Sequence, residues 1–178
     1  MHVDIVVADY ADPAHAAAVL DLLDAYARDP FGGATPLDAA VRKDLIGALA
    51  ARPGAFSVLA IADGSPVGLA NCFEGFSTFR CAPLINIHDL VVLPAFRGHR
   101  LAQAMMQKIE EVARQTGCCK ITLEVVSGNH HAQRVYTKMG YEGYQLDAAH
   151  GDALLWQKKL DCVDLPAESN IDTAQFPG

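Results

Sequence analysis

No apolar run in this sequence approaches the ~18 residues that a membrane-crossing helix needs, and the start, Met1-His2-Val3-Asp4, lacks the basic region and long apolar stretch of a secretory signal. Both absences predict a cytoplasmic chain. The five cysteines, Cys72, Cys81, Cys118, Cys119 and Cys162, are odd in number and form no C-x-x-C pair. Reduced, mostly buried thiols are therefore expected, and no metal site. No G-x-x-x-x-G-K-[S/T] loop is present, which excludes a P-loop phosphotransferase. A net charge of −7, with no zinc finger, aromatic RNA-binding signature or extended Lys/Arg run, excludes nucleic acid as the partner. There is no internal repeat.

What is present suits one soluble globular domain: 178 residues, 51% apolar and 20% charged. The charge is unevenly spread. Residues 1–96 carry five basic against eleven acidic side chains, whereas residues 97–138 carry seven against three. Basic charge thus gathers where an anionic small ligand would need it. Residues 161–178, with Pro166, Pro177, four acids and no Lys or Arg, read as an acidic extension beyond a domain of residues 1–160.

The basic segment opens on a strand, turn and helix. Leu84–Leu93 is an apolar run with β-branched residues, Arg97-Gly98-His99-Arg100 is a short turn, and Leu101, Met105, Ile109 and Val112 lie on one face of the helix that follows. A helix start carries unpaired N–H groups and partial positive charge, Gly98 lets a ligand approach the backbone, and Arg97 and Arg100 add formal charge. A phosphate or pyrophosphate is the natural guest.

Hydropathy periodicity supplies the other elements. An opening strand covers residues 3–8, and a helix capped by Asp12-Pro13 carries Val19, Leu20, Leu22, Leu23 and Tyr26 as its apolar side. The loop Asp29–Gly33 leads to a second helix after Thr35-Pro36, ending at Arg52-Pro53-Gly54. Phe56–Ala62 and Val67–Phe76 read as a hairpin around Ser65-Pro66. Cys119–Val126 is a strand joined to Leu84–Leu93 through a helix, so that pair should be parallel. His130–Met139 reads as a helix stopped by Gly140, and Tyr141–Leu146 with Ala153–Leu160 as a closing antiparallel pair. The class is α/β, a mixed and mostly antiparallel sheet of six to seven strands with about four helices.

Two separated motifs resemble the GNAT superfamily of N-acetyltransferases. One is the R/Q-x-x-G-x-G/A turn after the fourth strand, here Arg97 to Ala102 with Arg100 at the central glycine. The other is N-x-x-A-x-x-x-Y-x-x-x-G-F/Y, here Asn129, Ala132, Tyr136, Gly140 and Tyr141. The resemblance covers residues 56–160 well. It implies a sheet that splays between its fourth and fifth strands, with coenzyme A in the opening. On that likeness the backbone of Leu90, Val91 and Val92 pairs with the pantetheine arm. The N–H groups of Arg97, Gly98, His99, Arg100, Leu101 and Ala102 hold the pyrophosphate, Asn129 lies beside the pantetheine, and Tyr136 sits near the sulfur as general acid.

The implied activity is direct acetyl transfer from acetyl-CoA to a primary amine of a small molecule, of polyamine, amino sugar or aminoalkyl type. A protein N-terminus or lysine as acceptor, and a non-catalytic acyl-CoA-binding module, are the other readings. For the base, alternation puts Asn86 and His88 on one face of their strand and Asp89 on the other. An imidazole suits proton removal at neutral pH, which makes His88 the first candidate, Asp89 the second and Glu124 a weaker third. A homodimer would fit the resemblance.

Overall fold

The computed structural model describes residues 1–143 and 155–158. Its first unit, Met1–Glu142, contains every helix and strand assigned among them. In chain order these are β1 (Val3–Val7), α1 (Pro13–Ala27), α2 (Ala39–Ala51), β2 (Ala55–Ala62), β3 (Ser65–Ser77), β4 (Ala82–Val92), a 3-10 turn at Pro94–Phe96, α3 (Leu101–Gln115), β5 (Ile121–Leu123) and α4 (His130–Lys138). The sheet runs β1-β2-β3-β4-β5, antiparallel except for the parallel β4/β5 pair. A second unit, Gly143–Gly178, is described only at residues 143 and 155–158, which form no helix or strand.

Local chemistry accounts for the boundaries. Asp12 caps α1 by accepting from the Ala14 N–H at 2.7 Å, with Pro13 in the first turn where its missing N–H costs nothing. The β2–β3 turn is Asp63-Gly64, where both φ angles are positive, 46° and 80°. The expected turn at Ser65-Pro66 is corrected on this ground: proline is locked at negative φ, so the tight hairpin uses Asp-Gly and Pro66 becomes part of β3.

Both faces of the sheet are covered. On one, α3 buries Leu101, Met105, Met106, Ile109 and Ala113 against Val58, Ala60, Val67, Ala70, Cys72, Ile85 and Ile87. Each such large side chain contributes about 1.5–3 kcal/mol by leaving water. On the other, Ala18, Val19 and Leu22 of α1 and Leu49 of α2 pack on Leu59, Leu69 and Val91.

Three further expectations are revised. Among the described residues the sheet has five strands, not six or seven; the pair expected at Tyr141–Leu146 and Ala153–Leu160 lies mostly outside them. β5 is three residues long rather than eight because it pairs with β4 only at Ile85, Asn86 and Ile87. The thiols are not mostly buried: Cys72 is, Cys118 is half-buried, and Cys81 and Cys119 lie exposed in connections; Cys162 falls outside the described residues. The acidic extension at 161–178 also falls outside them.

Candidate active site

The parallel pairing of β4 with β5 ends at Ile87↔Leu123, while on its other edge β4 stays paired with β3 as far as Val92↔Gly68. The β5-facing edge along Leu90, Val91 and Val92 therefore has no strand partner among the described residues. At the closed end of this fork, Asn86 Nδ2 donates to Thr122 Oγ1 at 3.2 Å and to the Glu124 carboxylate at 3.3 Å. Glu124 thus sits where the two strands part.

The open edge leads to the turn before α3. Gly98 has φ +85° and Arg100 φ +60°, so the backbone turns twice through the left-handed region. Arg100 takes the shape that glycine gives more cheaply, and the chain path survives its side chain. The backbone N–H groups from Gly98 to Gln103 have no acceptor among the described residues; the Ala104 N–H is the first to close on a carbonyl, that of Arg100, at 3.0 Å. This is an anion cradle of the kind a helix start offers.

Arg97 is already engaged. Its N–H donates to the Pro94 carbonyl (3.3 Å), its Nε to the Val92 carbonyl (3.1 Å), and one terminal nitrogen to Asp29 Oδ2 (3.0 Å). The expectation that its backbone N–H and formal charge serve a phosphate is revised accordingly. Arg97 instead fastens the α1–α2 loop to the turn. The Asp29 carboxyl is held below the ordinary carboxylate range, first by the Phe31 N–H it accepts and then by Arg97, against the opposing effect of burial. Gly32 completes this loop, since a Cβ there would stand 1.9 Å from the Tyr26 carbonyl oxygen.

On α4, Asn129 caps the helix by accepting from the Ala132 N–H (3.1 Å), which leaves its amide N–H groups free to donate. Tyr136 is half-buried against the α3-side core, its ring 6.2 Å from that of Tyr141. Burial, and then proximity to Tyr26, pushes its phenol up to about 12. At neutral pH it is a proton donor. His99 is exposed, with Nδ1 3.3 Å from the Phe96 carbonyl.

The base candidates do not divide as expected. The β3/β4 register shifts between Asn71 and Cys72, pairing Asn71 with Asp89 and Cys72 with Ile87, so β4 bulges at His88. A bulge puts consecutive side chains on one face. His88 meets the Phe73 ring edge-on, at 5.6 Å, on the face that α1 and α2 cover. Asp89 is on that face as well, accepting from Asn71 Nδ2 at 3.0 Å. Simple alternation missed the extra residue.

A cleft of about 400 Å³ opens beside the bulge, lined by Leu45, Ala48, Leu49, Arg52, Phe73 and His88. Arg52 lies over the Phe73 ring, 6.0 Å from its centre, and makes no ion pair among the described residues. Neither Arg52 nor Tyr26 was marked by the sequence. Arg52 read as a helix end and Tyr26 as part of an apolar stripe, yet burial, and then the negative charges of Asp89 and Asp29, raise the Tyr26 phenol.

All four described tyrosines, Tyr10, Tyr26, Tyr136 and Tyr141, are raised, chiefly by burial. An unfolded chain ionises these phenols near pH ~10 and the folded chain does so later. The stability they contribute is therefore complete below that pH and is lost as pH climbs towards about 12, where Tyr136 and Tyr141 titrate. A phenolate absorbance titration should rise together with loss of helix signal; phenolate appearing near pH ~10 with the fold intact would contradict the burial described.

Residues 17–141 match the Acetyltransferase (GNAT) family. A curated relative is the aminoalkylphosphonate N-acetyltransferase of Salmonella typhimurium, 31% identical over 84 residues, 47% of this chain and 54% of that protein. The chain spans about half the length of the curated relatives it matches. Among solved structures, a probable acetyltransferase superposes with a TM-score of 0.73 at 23% identity, over 88% of this chain and 99% of that one. AAC(6')-Iy in complex with the bisubstrate analogue CoA-S-monomethyl-acetylneamine superposes with a TM-score of 0.70 at 17% identity, over 90% of this chain and 100% of the other. These two likenesses concern the fold.

Proposed function

The chain belongs to the GNAT acetyltransferase family, and from that premise we propose that it transfers the acetyl group of acetyl-CoA to a primary amine of a small molecule. The observation that carries this reading is the unpaired edge of β4 running into the unpartnered N–H groups of Gly98 to Gln103. An extended arm ending in a pyrophosphate fits that combination. The family uses acetyl-CoA, and the N–H groups here, with the Asn129 amide and the backbone of Leu90 and Val91, are the donors and acceptors that would hold it.

Acetyl-CoA supplies the activated acyl group. The residues of this chain handle the protons. The amine forms the new C–N bond as the C–S bond breaks; one proton goes to sulfur and one leaves the nitrogen. Tyr136 donates the first, and Asp89 or His88 receives the second.

The acceptor we favour is an aminoalkyl compound carrying an acidic group. The acidic residues 1–96 alone would point to a polycation, but the cleft at the bulge presents Arg52 and His88 over an apolar floor. Arg52 suits a carboxylate or phosphonate, and the bulge beside it offers Asp89 to the amine. The Salmonella relative, named for an aminoalkylphosphonate, agrees. In an amine panel read by free-thiol release, amino acids and aminoalkylphosphonates should be turned over faster than polyamines, and Arg52→Glu should raise KM for the acidic amines about tenfold or more. Preference for polyamines, unchanged in Arg52→Glu, would overturn this acceptor. Consumption of no amine would leave the acyl-CoA-binding module as the reading, and consumption of peptide amines alone a protein acetyltransferase.

A further inference from the structure

Beneath α1, a chain of hydrogen bonds crosses three strands. Tyr10 and Ser57 hydroxyls are 2.8 Å apart, Ser57 Oγ lies 2.6 Å from Asn71 Oδ1, and Asn71 Nδ2 lies 3.0 Å from Asp89 Oδ2. Ser57 is 0% and Asn71 3% exposed, among the apolar side chains that pack on α1.

The direction of every bond in this chain is forced. The Asp89 carboxylate can only accept, so Asn71 must turn its NH₂ towards it and its carbonyl towards Ser57. Ser57 then spends its single proton on Asn71 and can only accept from Tyr10. All donors point the same way, towards Asp89. An amide in the middle does not pass protons along, so this is no proton wire; it is a line of dipoles, each strengthening the next.

Such a line is poorly explained by stability. Replacing a buried polar pair by apolar groups of similar shape is commonly neutral or favourable, whereas burying it demands complete satisfaction. Its other end is what distinguishes it. Asp89 Oδ1 accepts no hydrogen bond and Asp89 makes no ion pair among the described residues, and the groups that feel its charge are the Tyr26 phenol of α1 and the Cys72 thiol of β3. A half-buried carboxylate on the bulge, fixed through one oxygen and open at the other, lacks its cation.

We infer that Tyr10, Ser57 and Asn71 are positioning residues that aim the free oxygen of Asp89 at the acceptor nitrogen, where it receives the proton released as the C–N bond forms. The inference rests on the proposed amine acetylation and deepens it: it makes Asp89, rather than His88, the group that meets the nitrogen.

The test is a double-mutant cycle on the full chain with an aminoalkylphosphonate as acceptor. Tyr10→Phe, which keeps the ring, and Ser57→Ala should each lower kcat/KM for the amine about three- to tenfold, with KM for acetyl-CoA unmoved. In an Asp89→Asn background both effects should vanish, because the donors then have no carboxylate to aim. Equal losses in both backgrounds would overturn the inference, as would Asp89→Asn at full rate. The side-chain NH₂ signals of Asn71 in an NMR spectrum give a readout independent of turnover. They should shift in Asp89→Asn and in Tyr10→Phe alike; signals unmoved in Tyr10→Phe would break the chain even if no amine is accepted, and moved signals with no turnover would fault the acetylation reading alone.

Discussion

Tyr136→Phe is expected to lower kcat by roughly 10²-fold, the order contributed by a positioned general acid, while the affinity for coenzyme A stays where it was. The sulfur leaves as a thiolate unless it is protonated in the same step. Tyr136 lies on α4, whose N-cap is Asn129 and which stops before Gly140, at φ +87°. With its phenol pushed up to about 12 by burial, the side chain keeps its proton throughout the neutral range. Phenylalanine preserves the contacts with Tyr141 and α3 and removes only the oxygen. Calorimetry for binding and thiol release for turnover separate the two quantities; an unchanged kcat would remove Tyr136 from the chemistry.

Gly98→Val should weaken coenzyme A binding by ten- to a hundredfold, the value of one or two hydrogen bonds to a charged phosphate. A Cβ at this position meets no atom within 4 Å, so the substitution does not clash with the folded chain. It acts in two other ways. Its backbone sits at φ +85°, where a β-branched residue is strained, so the turn relaxes and its N–H groups lose their common aim. Its branches also take up open space at this position. Folding should survive with a loss of about 1–2 kcal/mol. Undiminished binding by calorimetry would place the phosphates elsewhere.

The motifs were legible because both depend on short-range backbone chemistry. A glycine at positive φ, a helix start whose N–H groups have nothing to donate to, and an asparagine cap three residues before Ala132 are properties of consecutive residues. The α3 stripe was equally plain, since Leu101, Met105 and Ile109 repeat at the period of the helix and are buried as that period requires. The placement of Asp89 was not legible, for a reason that lies in β3 rather than β4. Alternation assumes an unbroken ladder, and the register shift at Asn71/Cys72 adds a residue at His88, which brings Asp89 to the face of its neighbour. Arg97 misled in a similar way. Next to Gly98 it read as a phosphate ligand, but its guanidinium reaches Asp29, 68 residues earlier in the chain.

By itself, the sequence determined the order and type of the elements from β1 to α4, the parallel β4/β5 pair, the glycine turn before α3 and the tyrosine on α4, because each follows from periodicity, capping and spacing within a few residues. Only the tertiary structure decided which carboxylate has a line of donors behind it, which arginine is spent on a loop and which faces a cleft. Those facts depend on residues distant along the chain, Tyr10, Ser57 and Asn71 for Asp89, Asp29 for Arg97, and Phe73 for Arg52. No local pattern records them.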